Sequence, residues 1–266
     1  MPRILDIEPP PGCLVRFISD LHFGHRRSMA PSPARLLEQM QGVGMLVLCG
    51  DTAETRFSGC SAGFALRDEL RRLCRDRAIA LVELAGNHDT DIEPMLARFW
   101  GGSVAATHGH ALLQMVSPWS HEYLAAKRHF RALAAAHPEA GHNLDARLEL
   151  AAHIASELAQ RTPTTASAPE RRSLLHKLHH YCWPPERPLS IFWNWLTISR
   201  RAERWMRSYL PGTSTLILGH FHRPFCRRSS GRAIYNTGAW FQHARPYAVD
   251  FCDAHFISFR ELLSSP

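Results

Sequence analysis

The chain has 266 residues, 45% of them hydrophobic and 21% charged, which fits a folded core carrying an insertion and excludes a disordered chain. No window approaches the roughly 18 apolar residues of a membrane span, and the opening MPRILDIEPPPG has no apolar stretch of signal-peptide length, so a cytoplasmic location is expected. Lys and Arg outnumber Asp and Glu by 31 to 24, a balance that favours an anionic partner: nucleic acid, an acidic membrane surface or a phosphorylated substrate.

In chain order, the first half alternates strand and helix signals. Leu14–Ser19, Met45–Cys49 and Ile79–Leu84 are short apolar runs, expected as buried strands. Between them, Arg35–Met40 reads as a short helix, and Leu66–Arg77 as an amphipathic helix with Leu66, Leu70 and Leu73 along one side. A fourth strand is expected to lead into Thr107–His110. After Pro118 the character turns helical. His121–Ala136 and Asn143–Gln160 are expected helices, followed by a Pro/Thr/Ser/Ala-rich loop, Arg161–Glu170, and a basic, His-rich stretch to Pro185. Ser190 is expected to cap a further helix in which Ile191, Trp195, Ile198, Ala202, Trp205 and Tyr209 share one face, with Pro211-Gly212 ending it. Strand signals return at Thr215–Leu218, Ala233–Asn236, Tyr247–Phe251 and Ala254–Phe259, the last two joined by a turn at Asp253. The expected organisation is an α/β core from 1–117 and 212–266, interrupted by a helical insertion at 118–211. The seven cysteines are odd in number and show no C-x-x-C spacing, so neither a disulfide framework nor a zinc-thiolate site is indicated.

Five polar motifs each follow an apolar run: Asp20-Leu21-His22, Gly50-Asp51, Gly86-Asn87-His88-Asp89, His108-Gly109-His110 and Gly219-His220-Phe221-His222. Carboxylate, imidazole and amide oxygens on strand-end loops are the donors a pair of divalent ions needs. Any one of these motifs occurs by chance; their succession is specific. In order and content they resemble the signature of the calcineurin-like metallophosphoesterase superfamily, over roughly 14–116 and 213–260.

That resemblance implies a four-layer αββα metallophosphoesterase sandwich and hydrolysis of a phosphate ester or pyrophosphate by in-line attack of a metal-bridging hydroxide. It implies that Asp20, His22, Asp51 and His222 hold one ion and Asp51, Asn87, His108 and His220 the other, with manganese foremost and iron or zinc as alternatives. His88 would act on the transition state or the leaving oxygen, with Asp89 accepting a hydrogen bond from it. His25 and Arg223 are candidate substrate contacts beside the first and last motifs. His110 is expected behind the site or exposed, and His176, His179 and His180 form a basic group that reads as a helical face or a phosphate-binding patch.

Gly219–Phe225, followed by Ile234–Phe241 (IYNTGAWF), further resembles the UDP-2,3-diacylglucosamine pyrophosphatase group, whose helical insertion covers acyl chains. The chain departs from that pattern at His88, where the group commonly has Arg, and at Phe221 and Ala239. The insertion, with Trp193 as a candidate substrate contact, is expected either to roof the metal site and take up a lipid-linked or nucleotide-sugar substrate, with peripheral membrane contact, or only to cover the sheet. Two other classes stand beside this reading. One is a nuclease or nucleotide phosphodiesterase; the other is a non-catalytic scaffold, as in the retromer subunit that shares the fold, which should have lost ligands that are all present here.

Overall fold

The computed structural model describes residues 3–55, 61–112, 123–161 and 186–263. Two sheets face each other. The first has the strand order β1 (Ile4–Ile7), β5 (Leu96–Phe99), β6 (Val104–Thr107), β7 (Thr215–Leu218), β9 (Arg232–Asn236), β8 (Phe225–Ser229). The second runs β11 (His255–Glu261), β10 (Tyr247–Cys252), β2 (Leu14–Ile18), β3 (Met45–Cys49), β4 (Ala80–Leu84). Strands β2, β3 and β4 are mutually parallel, as are β6, β7 and β9, so the carboxyl ends of each trio lie along one sheet edge.

The two-residue side-chain period divides each strand between two cores. Val15 and Phe17 of β2, Met45, Val47 and Cys49 of β3, and Ile217 of β7 meet Phe99, Val104 and Ala106 in the layer between the sheets. The alternate residues Leu46 and Leu48 face the helices α1 (Pro33–Glu38) and α2 (Ser61–Asp76) through Leu36, Leu37, Leu70 and Cys74. On the far side, Leu216 and Leu218 pack with Leu148 and Ala151 of α4 (Leu144–Arg161) and with Ala202, Trp205 and Met206 of α5 (Glu186–Tyr209). The result is the expected four-layer αββα sandwich. Helices α4 and α5, from the stretch between β6 and β7, supply its outer layer, while α3 (Tyr123–Ala136) meets α4 through Leu133 and Ala134.

The Asp253 turn closes a tight hairpin: Asp253 and Ala254 both have positive φ and Cys252 pairs with His255, the geometry two-residue hairpins favour. One expectation is corrected. Ser190 does not cap α5, because the helix already runs from Glu186. Arg161, expected to open a loop to Glu170, still belongs to α4; residues 162–170 and the group His176, His179 and His180 lie outside the described residues, as do the side chains of Ile191 and Trp195. The rest of the expected α5 face holds, since Ile198, Ala202 and Trp205 are buried.

One charged pair sits inside the sandwich. Arg16 of β2 donates two bonds to Asp250 of β10, Nε to Oδ1 and Nη2 to Oδ2, each 2.7 Å, and a third to the Gln39 carbonyl. Removing one partner of a buried pair leaves an uncompensated charge and typically costs about 3–5 kcal/mol. Asp250→Ala is therefore expected to lower the unfolding free energy by an amount of that order in urea titration, and the double variant Arg16→Met/Asp250→Leu to recover most of it.

Candidate metal centre

Each motif lies just beyond the carboxyl end of a strand: Asp20 and His22 after β2, Asp51 after β3, Asn87 and His88 after β4, His108 after β6, and His220 and His222 after β7. The first two loops continue the pairing of β2 with β3 in backbone alone. Asp20 N donates to the Gly50 carbonyl at 3.0 Å, His22 N to Asp51 at 2.9 Å and Phe23 N to Thr52 at 2.9 Å. From the other sheet, Gly219 N bonds the His108 carbonyl and Trp240 N bonds the Asp20 carbonyl. Arg147 of α4 donates to the Ala111 carbonyl at 2.7 Å and so ties α4 to the turn that follows His108.

Close approach of these loops sets where glycine is required. A Cβ at Gly86 would overlap Asp51 Oδ1 and the Asp51 backbone nitrogen, and one at Gly219 would overlap Asp20 Oδ2 and come within 2.6 Å of Ser19 Oγ. Asp20, His22, Asp51, His220 and His222 all adopt positive φ, between 49° and 70°. For residues other than glycine such backbone costs roughly 1–3 kcal/mol and persists only where the surroundings enforce it.

All eight residues expected at the centre converge. His222 Nε2 lies 3.2 Å from Asp20 Oδ1, and His22 Nε2 lies 3.8 Å from that oxygen and 3.6 Å from Asp51 Oδ2. His108 Nε2 is 3.2 Å from Asp51 Oδ2, 3.1 Å from Asn87 Oδ1 and 3.2 Å from His220 Nδ1. Asp20, His22 and His222 bring ligand atoms within 4.8 Å of one another, and so do Asp20, Asp51 and His108. His22, Asp51 and His88 form a third such group, so the geometry also offers His88 as a ligand.

Burial opposes ionisation of Asp20 and Asp51, but the surrounding imidazoles, His108 first, outweigh it and hold both carboxyls well below the usual range. The same field works on His108: burial disfavours its charge, yet Asp51 and Asp20 push its pKa up to about 9. His22 and His220 are driven the other way, by burial.

The donor set passes a direct test of its fit to divalent ions. Both ring nitrogens of His22 are buried without a hydrogen-bond partner, although buried polar atoms are nearly always paired. An imidazole facing two carboxylates with its nitrogens unbonded fits a divalent ion as its partner, and the mixed O/N donors suit Mn, Fe or Zn.

Asp89 is a correction. It does not meet His88; it accepts backbone N–H bonds from Gly86 (2.7 Å), Asp51 (3.1 Å) and Thr52 (2.7 Å), clamping the second and third loops together. Burial, then the Asp51 carboxylate, push its pKa up to about 7 against His108 and the Gly86 and Thr52 amides. His88 pairs instead with Glu54, buried, with Oε2 2.7 Å from Nδ1. Its only sequence signal is an acid three residues beyond Asp51, in G-D-x-x-E.

His25 reaches the rim, its ring 6.2 Å from that of His22. His110 sits half-buried behind the centre, 5.5 Å from the His108 ring. Arg223 is exposed beside His222. Trp193 stands on the exposed face of α5, and no contact among the described residues joins it to the centre.

No family model matches the chain, and no curated protein matches it. Among solved structures it is similar to a dimetal phosphatase from Danio rerio, at 12% identity and a TM-score of 0.45, covering 96% of this chain and 100% of that one. It is also similar to a phosphoesterase from E. coli (14%, 0.39, 93% and 98%) and to Vps29 complexed with Zn2+ from Entamoeba histolytica (12%, 0.39, 94% and 98%). Likeness at this level carries no functional weight; the chain's own residues do.

The Gly86 contact can be tested directly. Gly86→Ala forces the Asp51 and Asn87 loops apart, and overpacking of this kind costs typically about 1–3 kcal/mol. Its unfolding midpoint in urea is expected to fall accordingly, whereas Gly212→Ala, where a Cβ meets nothing, should leave it unchanged.

Proposed function

We propose that the protein is a two-metal phosphoesterase that hydrolyses a phosphate ester or pyrophosphate. The observation that carries this reading is the convergence of two buried carboxylates with His22, whose nitrogens lack partners. In this reading Asp20, His22, Asp51 and His222 hold one ion, and Asp51, Asn87, His108 and His220 the other, Asp51 serving both. When bound, two divalent ions neutralise phosphoryl oxygens and acidify water at neutral pH.

The chain's own groups do the rest. Glu54 accepts the Nδ1–H of His88, which leaves Nε2 turned toward the Asp51 side, 4.0 Å from Oδ2. From there it can protonate a leaving oxygen. The main chain holds it in place: Thr55 N and Oγ1 both donate to the His88 carbonyl, and His88 N donates to Asp51 Oδ1 at 2.8 Å. Asp89 keeps these loops in register. In this reading the substrate's further phosphate or sugar groups fall to Arg223, exposed beside His222, and to His25, at the rim beside His22.

Protein purified without chelator is expected to carry two equivalents of divalent metal by elemental analysis, Mn first. His88→Ala should keep both ions while turnover on a generic phosphodiester falls about 10²–10⁴-fold; Asp51→Asn should lose metal. Retention of one ion only, or near-normal turnover in metal-replete His88→Ala, contradicts the assignment. Single-stranded DNA in the same panel tests the nuclease alternative, and a metal-loaded protein inert on every substrate would leave the scaffold.

For the substrate, the reading is an amphiphilic phosphate such as an acylated nucleotide sugar, of which UDP-2,3-diacylglucosamine is the example the sequence resemblance suggests. Supporting it, Leu189, Phe192, Trp193 and Leu196 form an i, i+3, i+4, i+7 stripe on the side of α5 opposite its buried face, each more than half exposed. Exposed Arg200, Arg204 and Arg207 continue that side toward the helix end. An apolar stripe running into cations suits acyl chains beside phosphate at a bilayer surface, and no described helix is long and apolar enough to cross one. Trp193→Ala is expected to reduce the preference for acylated over unacylated nucleotide-sugar pyrophosphates, measured as the ratio of kcat/KM, with metal content unchanged. An unaltered ratio would reduce α5 to a cover for the sheet.

A further inference from the structure

His22 presents a positioning problem that His108 does not share. Imidazoles that ligate metals are normally aimed by a hydrogen bond from the second ring nitrogen to a carbonyl or carboxylate. His108 follows that rule, its Nδ1 3.0 Å from the Cys49 carbonyl while Nε2 faces Asp51 and Asn87. His22 has no such bond at either nitrogen, yet its Nε2 points between Asp20 and Asp51.

What touches the His22 ring instead is aromatic. The Phe241 ring lies over it at 4.4 Å between centroids and 31° between planes. The same phenyl meets His222 at 5.0 Å and His25 at 5.0 Å, so one half-buried side chain contacts both imidazoles grouped with Asp20. His88 closes the other approach edge-on at 4.8 Å. Phe241 is itself held from the main chain. Its neighbour Trp240 is buried, with Trp240 N bonded to the Asp20 carbonyl and its own carbonyl accepting from Met29 N, and Phe241 forms an antiparallel bridge with Ser28. Movement of the phenyl is therefore coupled to the backbone that carries Asp20 and His22.

We propose that Phe241 is the positioning residue of the Asp20–His22–His222 half of the centre, its ring face setting the orientation of His22 where a hydrogen bond would ordinarily do so. This rests on the two-metal reading and adds to it the group that aims one of the ligands. A ring stacked on an imidazole restrains rotation about its Cβ–Cγ bond, which would swing the imidazole off the phenyl face, and so keeps Nε2 turned toward the two carboxylates. The hydrogen-bonded half, around His108, needs no such help and should not respond to Phe241.

The experiment is a Co2+ titration of metal-free protein followed by visible absorption, which reports affinity and ligand geometry without turnover. In Phe241→Leu one of two Co2+ ions is expected to bind about 10–100-fold more weakly, the range typical of lost ligand-orienting partners, with a shifted spectrum, while the other binds as in wild type. Phe241→Tyr, which keeps the ring, should restore both. Phe241→Met, which fills the space without a ring, repeats the measurement if Phe241→Leu folds poorly. Wild-type affinity and spectrum in the folded Leu or Met protein, or a loss that Tyr does not rescue, overturns the inference alone. Wild-type protein that takes up no Co2+ overturns the two-metal reading and this inference with it.

Discussion

Two carboxylates, Asp20 and Asp51, are buried side by side, and the rest of the molecule is arranged to make that tolerable. Burying one charge without compensation costs several kcal/mol; burying two of the same sign adds their repulsion. Compensation arrives from every direction. His220 N and Ser19 Oγ donate to Asp20, His88 N donates to Asp51, and the imidazoles of His22, His108 and His222 surround both. The positive-φ backbone at five of these residues follows from the same demand, because a chain leaving a strand must reverse at once to present its side chain to a shared point.

The sandwich makes this possible by bringing the ends of two sheets together. Neither sheet alone holds the set: Asp20, Asp51 and Asn87 come from one, His108 and His220 from the other. The apolar layer between them, built on Phe17, Phe99 and Phe251 in edge-to-face contact, fixes the separation at which the polar loops meet. The outer helices act at one remove: Arg147 of α4 grips the Ala111 carbonyl beyond His108, and α2 approaches the first loop closely enough that a Cβ at Gly24 would strike Gly63.

Much of this was legible in the sequence because it rests on short apolar runs bounded by turn residues and polar motifs. Met45–Cys49 is apolar at every position and too short for a helix, which favours a strand buried on both sides. The loops of the candidate centre were legible because each begins where such a run stops. Strands β1, β5 and β8 were not foreseen: ILDI, LARF and FCRRS are short and carry charges, and they exist because a neighbouring strand offers them hydrogen bonds. Asp89 was misread because adjacency to His88 suggested contact, whereas its carboxylate turns back toward the Asp51 amide. Glu54 was missed because a single acid in a loop has no periodicity to mark it. Phe241 was visible only as part of a motif, since stacking between distant loops leaves no local trace.

The pairing of Arg16 with Asp250 spans 234 positions, and β2 lies between β3 and β10 in its sheet. A chain emerging from the ribosome therefore makes β2, β3 and β4 early but leaves one edge of β2 open, with Arg16 unpaired, until β10 arrives. Contacts this distant in sequence close slowly, and an open apolar edge is a template for pairing with another chain. The loops of the candidate centre share the delay, because His220 and His222 are made long after Asp20. The nascent β2 edge is thus a point at which pairing with another chain can begin, and a truncation that removes β10 and β11 would leave that edge without its partner strand.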